Sequence, residues 1–407
     1  MLEWVTAGES HGKSLIGVIT GVPASIELQT QHIAAELQRR RFGYGRGARQ
    51  AWEADEITVL SGLKHGATLG SPIAIEIGNS EWPKWMTVMN PDPVDAADLL
   101  IDAGTGDERE IARNKKLTRP RPGHADLPGM LKYGVDDART ILERASARET
   151  ATRVALGAVA KAILKQIADV EIVSLVVGIG TAHMSLDAPR PRPEDMLALD
   201  ENPVRCPDPE VAQEMIRQID EAKAQGDTIG GVVEVIAYNV PIGLGTHTHA
   251  LGKLDANLAA ALMSIQAVKG VEIGDGFTTA TRRGTQAHDE IIRDEAGLVT
   301  RSTNRAGGIE GGISNGRSIV ARAALKPIST VPRALASIDL ATGETAQGLH
   351  QRSDTCAVVP AAVIAEAEMA LVLARALLEK TGGDSLQECR LNLDNYLRRI
   401  GERLRKD

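Results

Sequence analysis

Residues 8 to 20 read GESHGKSLIGVIT, and the fold turns on the stretch after Ser14. A phosphate-cradling P-loop has the pattern GxxxxGK[ST] between a strand and a helix, so that the helix N-terminus faces the phosphates. Here the spacing is one residue short. The next segment, LIGVIT, predicts a strand where a P-loop requires a helix. Ser10 and His11 are then polar groups in a tight, Gly-flanked turn, and a nucleotide-dependent phosphotransferase is the weaker reading of this stretch.

Working outward, EITVL (56–60) and PIAIEI (72–77) read as two further strands joined through the turn region SGLKHGATLGS. A helix is expected from about Thr30, taken as its N-cap, to the breaker run GYGRG. A stronger helix starts at Ser146, which forms an S-x-x-E capping box with Glu149 ahead of Leu156, Val159, Ile163, Leu164 and Ile167. Strands at 171–179, 232–240 and 318–328, a short strand GVEIG, a charged helix near 209–225 and helices at 254–268 and 360–380 complete the pattern. The Pro-rich 188–195 segment is expected to be an excursion, and the basic end NYLRRIGERLRKD a solvated helix or tail. No linker divides the chain and no strand, GxGxxG, helix unit occurs. The expectation is one large interlocked α/β domain over residues 1–407, not a Rossmann fold.

Composition narrows the function. The 407 residues can bury a large core, and 43% apolar content with 25% charged residues excludes wholesale disorder. No apolar run approaches the ~20 residues that span a bilayer, and MLEWVTAGESHG lacks a signal-peptide pattern, so a soluble cytoplasmic protein is expected. Three dispersed cysteines, Cys206, Cys356 and Cys389, make neither a disulfide framework nor a zinc ribbon. A net charge of -8 argues against general nucleic-acid binding. HTH at 247–249 places two histidines on one face of an expected strand, but no third ligand accompanies them, so no metal is expected.

Arginines gather locally despite the acidic total. QRRRFGYGRGAR (38–49) holds Arg39, Arg40, Arg41, Arg46 and Arg49. The first three suit a helix C-terminus, whose dipole favours cations, whereas Arg46 and Arg49 in a glycine-rich loop suit a bound anion. ERASARET (143–150) sets Arg144 and Arg148 around a capped helix start, which could bind an anion or simply pair them with Glu143 and Glu149. TRPRPGHAD (118–126) crowds arginines against His124; it is either a surface turn or a site that holds an anion and transfers a proton. GGIEGGISNG (307–316) supplies turns or close backbone approach to a ligand, and HQRSDTC (350–356) places Arg352 and Asp354 just before a helix.

Together these stretches resemble the chorismate synthase family through most of the chain: GESHGKSLIGVITGVP, RRRFGYGRGARQ, RPGHAD, ERASARETATRVALGAV, IQAVKGVEIGDGF, NRAGGIEGGISNG, KPISTVP and QRSDTCAVVPAAVIAEAE occur in the family's order. The segment near 101–111, the 188–195 excursion and the C-terminal tail match poorly and are expected to be variable loops. The resemblance implies a single large sandwich of helices and mixed or antiparallel sheets, assembled as a homotetramer. It implies a carbon–oxygen lyase that removes phosphate from 5-enolpyruvylshikimate 3-phosphate by 1,4-anti elimination to give chorismate, in the shikimate pathway of aromatic amino acid biosynthesis. Reduced FMN is required without net redox change, the flavin being reduced either by this protein with NADPH or by a separate reductase.

By position, the resemblance assigns Arg144, Ala145, Ser146, Gln266, Ala267, Gly311, Lys326, Pro327, Ile328, Ser329, Thr330 and Arg352 to FMN. Ser10, Arg40, Arg46, Arg49 and Arg148 fall to the substrate, Arg40 and Arg46 alternatively to NADP. His11, His124 and Asp354 fall to proton transfer. A substrate with a phosphate and two carboxylates, beside a second phosphate on FMN, accounts for the gathered arginines. An Arg-rich module that holds polyanions without turnover is the competing class.

Overall fold

The computed structural model describes residues 1–46, 55–100, 113–349 and 354–404. Four antiparallel strands form the first sheet: β1 (Glu3–Ala7), β2 (Ser14–Thr20), β3 (Glu56–Ser61) and β4 (Ile73–Gly78), in the order β1-β2-β4-β3. β1, unpredicted, closes a hairpin with β2 in which Ala7 faces Ile16. GESHGKS is therefore a strand-to-strand turn, and no helix N-terminus comes after it to meet a phosphate. The second sheet contains β5 (Glu171–Ile179), β6 (Gly231–Tyr238), β7 (Val268–Ile273) and β8 (Ile319–Leu325), ordered β7-β8-β6-β5 with the short strand Ala182–His183 at the far edge. Its pairings are antiparallel too.

Among the helices are α1 (Thr30–Arg41), α2 (Asp126–Tyr133), α3 (Arg139–Ala145), α4 (Thr150–Ala168), α5 (Pro209–Ala224), α6 (Leu254–Met263), α7 (Val358–Thr381) and α8 (Leu386–Leu404). α4 packs on β2 and β4 of the first sheet, α7 on β5 and β6 of the second, and the two helices pack on each other. Each therefore has protein on opposite sides. That explains the apolar run of α7, where 21 of 24 residues are buried: a helix with no solvent face needs no polar stripe. The contact is close. At Gly157 on α4 an added Cβ would stand 2.4 Å from the Ala367 Cβ on α7.

Several local expectations change. The helix expected from Ser146 starts at Thr150, behind a 3₁₀ turn at Ala147–Glu149, and Ser146 caps that turn through the Arg148 amide. α1 begins at Thr30 as expected, but its N-cap is Gln29. α6 stops at Met263, short of Val268, and Ala267 adopts φ +69 in the turn beyond it. The 188–195 excursion is irregular up to a 3₁₀ turn at Pro193–Asp195, and Arg190 pins it to the buried Glu234 at 2.5 Å. As far as Leu404 the basic C-terminal stretch belongs to α8, which starts at Leu386 and buries Cys389 and Leu393. The 101–111 segment lies outside the described residues. No described helix is long and apolar enough to cross a membrane.

Candidate active site

The β1–β2 turn places the first catalytic candidate. Gly8 takes φ +100, and a Cβ there would lie 2.4 Å from the Ser14 carbonyl oxygen, so only glycine permits the turn. The Ser10 amide donates to the Glu143 carbonyl at 3.0 Å and the His11 amide to Glu143 Oε2 at 2.8 Å. His11 Nδ1 lies 2.9 Å from Glu143 Oε1. Because a carboxylate only accepts, Nδ1 carries the proton and Nε2 is the basic nitrogen of the neutral ring. Trp85 stacks on the same imidazole, centroids 3.8 Å apart and planes 20° apart. The guanidinium carbons of Arg113 and Arg139 stand 5.1 and 5.3 Å from the Trp85 ring. Burial lowers the Arg139 pKa, against the opposing pull of Asp137 and Glu143.

A second strip begins at Ser146, whose Oγ donates to Ser10 Oγ at 3.3 Å. Arg148 comes next, its Nε on Asn79 Oδ1 at 3.2 Å and its Nη1 on Asp55 Oδ1 at 2.5 Å. Arg144, next to Ala145 at the end of α3, donates to the Thr6 and Gly8 carbonyls. Arg144 Nη2 also stands 3.9 Å from Glu149 Oε2, the pairing its sequence neighbours suggest, though its hydrogen bonds go to the two carbonyls. The reciprocal half of the expected capping box is absent because Glu149 is used elsewhere. Its Oε1 accepts from Gln266 Nε2 at 2.6 Å and stands 2.8 Å from Arg153 Nη2. Gln266 Oε1 is buried with no hydrogen-bond partner. Arg40 sits buried beneath the turn, donating to Thr150 Oγ1 at 3.1 Å and the Ala147 carbonyl at 3.4 Å.

The TRPRPGHAD segment separates its two arginines: Arg119 is exposed, whereas Arg121 is 6% exposed. Arg121 donates to Asp126 Oδ2 at 2.8 Å and to Thr330 Oγ1 at 2.9 Å. His124 Nδ1 lies 2.5 Å from Asp126 Oδ1, with Arg121 Nη2 at 3.0 Å from the same nitrogen. Burial opposes charge on Asp126, but the hydrogen bonds from His124 and Arg121 hold its carboxyl well below the usual range. His124 thus repeats the His11 arrangement, an imidazole set by a buried carboxylate. Lys326 reaches back to the Gly123 carbonyl, anchoring the run Lys326, Pro327, Ile328, Ser329 and Thr330 against this loop.

Arg46 forms the third group, with Nε 3.3 Å from Asp354 Oδ2 but outside hydrogen-bond geometry. Burial lowers its pKa, with Asp354 opposing. Burial also pushes the neighbouring Cys356 thiol up to about 11. The three groups adjoin. The Lys326 amide donates to the Ala267 carbonyl at 3.0 Å, linking Gln266 to the His124 loop. Thr228 Oγ1 donates to the Ile328 carbonyl, while the Ile229 and Thr355 amides donate to the Thr355 and Gly45 carbonyls, linking that loop to Arg46 and Asp354. Gly311 lies apart, at the tip of the hairpin Ile309–Ser314, which bonds to residues 244–254. Arg49 and Arg352 lie outside the described residues.

Arg39 stands in the last turn of α1, as expected, and has an interior partner as well. It is 11% exposed on its side chain and bonds Glu366 twice, at 2.7 and 2.9 Å. The 247–249 histidines occupy a bend, not a strand; His249 accepts from the Gly252 amide, and no group of three metal-ligating side chains occurs among the described residues. A cavity of about 500 Å³ is lined by Thr6, Arg153, Ser264, Glu368 and Arg375 among others. Neither His11 nor His124 lines it, and burial raises the Glu368 pKa there against the pull of Arg153.

Sequence reading did not single out Asp126, Asn79, Asp55 or Trp85, and it gave Glu143 and Glu149 to Arg144 and Arg148 where the structure bonds them to His11 and Gln266. Asp126 was legible as the residue two beyond His124; Trp85 carried no signal at all.

These groups, two carboxylate-set histidines amid buried guanidinium groups, lie in residues that the comparisons with known proteins cover. The family model described as chorismate synthase matches residues 2–378. A chorismate synthase of Mycobacterium sp. (strain KMS) is 59% identical over 99% of this chain and 97% of its own length. That of Beutenbergia cavernae is 59% identical over the whole of both chains. A crystal structure of chorismate synthase superposes with a TM-score of 0.76 at 39% identity, covering 98% of each chain. A family model that matches most of the chain, together with 59% identity over nearly all of it, leaves one assignment: the chain belongs to the chorismate synthase family of lyases.

Proposed function

We propose that the three adjoining groups form one active site for the 1,4-anti elimination of phosphate from 5-enolpyruvylshikimate 3-phosphate, with His11 and His124 as its proton-transfer residues. The observation that carries this reading is the repeated histidine–carboxylate pair, His11–Glu143 and His124–Asp126, among buried cations. In the reaction a C–H and a C–O bond break and a C=C bond forms, while a proton and phosphate depart, so no net oxidation occurs. The residues fit the reduced FMN that the family requires: Gln266, one of those that fall to the flavin, offers a buried acceptor without a donor. Bound there, reduced FMN would supply a transient electron that helps phosphate leave and that returns to it afterwards.

The chain's own residues do the rest. Ser10, Arg40, Arg46, Arg49 and Arg148 supply fixed positive donors for the substrate's three anionic groups, with Arg40 and Arg46 also open to NADPH. Arg144 to Ser146, Gln266, Ala267, the Lys326–Thr330 run and Arg352 hold the flavin. Gly311, remote in the single chain, reaches it from a neighbouring subunit. The carboxylates fix each imidazole so that a proton is held at a defined nitrogen, and Asp354, facing Arg46, takes part in removing the proton lost from carbon. Assembly as a homotetramer, proposed to work in the cytoplasm, draws its support for association from the outer face of the first sheet, where Val5 and Leu60 are 63% and 56% exposed on the side away from α4.

An anaerobic assay tests the reading. With the enolpyruvyl substrate and chemically reduced FMN, phosphate and chorismate should appear in equal amounts without nucleotide or Mg²⁺. A nucleotide requirement would restore the phosphotransferase reading, and equal turnover with FMN kept oxidised would overturn the electron-donor role.

A further inference from the structure

Glu149 is 2% exposed, and the side chains hydrogen-bonded to its carboxylate all act as donors. Arg153 approaches both oxygens, Nη2 at 2.8 Å from Oε1 and Nε at 3.2 Å from Oε2. Thr6 Oγ1 stands 3.5 Å from Oε2, and Gln266 Nε2 donates to Oε1 at 2.6 Å. A carboxylate cannot donate, so this contact decides which way the Gln266 amide faces: NH₂ toward Glu149, carbonyl away from it. The carbonyl Oε1 then stands buried without any donor. An unsatisfied buried acceptor is destabilising until a donor reaches it. The backbone cannot swing to relieve it, because the next residue, Ala267, is held at φ +69 with its carbonyl bonded to the Lys326 amide.

We infer that Glu149 is a positioning residue, which locks the Gln266 amide so that its carbonyl is presented to a ring N–H of the bound flavin. The inference rests on the flavin reading above. An isoalloxazine carries at least one ring N–H, that of N3, in either redox state, and its carbonyls would be refused by the same locked amide. Glu149 touches neither substrate nor flavin; it acts through Gln266.

The test is a double-mutant cycle on binding. FMN is titrated anaerobically into the full chain, oxidised and dithionite-reduced, for wild type, Glu149→Gln, Gln266→Ala and the double variant, with circular dichroism and melting curves as fold controls. Glu149→Gln should weaken FMN binding roughly five- to tenfold, the size of one hydrogen bond, because a neutral amide no longer dictates the facing of its neighbour. In the Gln266→Ala background the same change should add no further loss. An equal loss in both backgrounds would make Glu149 a merely structural residue and overturn the inference. Gln266→Glu keeps Glu149 intact and sets two carboxylates face to face; affinity unchanged from wild type would overturn it as well. Failure of the wild-type chain to bind FMN at all would instead overturn the flavin reading, and the inference with it.

Discussion

At the scale of single residues, the site is made of pairs in which one member reacts and the other aims it. His124 is the clearest case, its Nδ1 set by Asp126 at 2.5 Å. Losing a general acid costs ~10²–10⁴-fold in rate, so His124→Ala should fall in that range with the fold intact. Single-turnover rates across pH, at saturating substrate and reduced FMN, check it; a wild-type rate and pH profile would remove His124 from the chemistry. The reactive members were legible in the sequence and their partners were not. Glu143 lies 132 positions from His11, and the motif in which it stands suggested a pair with Arg144 or Arg148. Short-range charge pairing is the natural guess for a sequence reader, but burial decides: Glu143 is 2% exposed, and the group it was folded against is an imidazole from the far end of the chain.

At the scale of elements, the sequence pattern located the main strands of the two sheets except for β1, and helices α1, α4, α5, α6 and α7; the edge strand Ala182–His183 was not read, and α8 was legible only in its basic end, as a helix or tail. β1 was missed because five residues, EWVTA, with alternate positions exposed, carry little apolar signal on their own. Ends were misplaced where a tertiary bond competed with a local one, as at Glu149, which leaves its capping position for Gln266 and Arg153. The crossing of α4 and α7 is an element-scale feature that no single-helix pattern encodes. Gly157 is an allowed helical residue, yet an added methyl would meet the Ala367 Cβ at 2.4 Å. Gly157→Ala should therefore destabilise by about 1–3 kcal/mol despite alanine's better helix propensity, since both helices are held by sheets behind them. Chemical denaturation of the variant checks this, a stabilised protein being the outcome that refutes it.

At the scale of the whole molecule, the interior carries charge. Glu366, 0% exposed on α7, meets Arg39 at 2.7 Å, Lys161 at 2.5 Å and Arg205 at 3.0 Å, so residues from three remote segments converge on one carboxylate. Burial opposes its ionisation, but the three cations hold its pKa well below the ordinary 4.5. A depressed carboxylate contributes stability that is full above the unfolded value and is lost as pH falls through the folded one. Melting temperature should thus decline on acidification below about 4.5, and Glu366→Gln should cost about 3–5 kcal/mol near neutrality while flattening that decline. Calorimetry over the acid range reads both; an unchanged slope would assign acid lability elsewhere. The near-total burial of α7 also bears on how the chain is made. Strands from residues 14–78 and 171–325 emerge from the ribosome before Thr381, and the helix that covers the second sheet and backs α4 arrives after them all. Until then a nascent chain shows two uncovered apolar layers, so its hazard is aggregation during synthesis, and a message truncated before α7 yields a product for chaperones and proteases to clear.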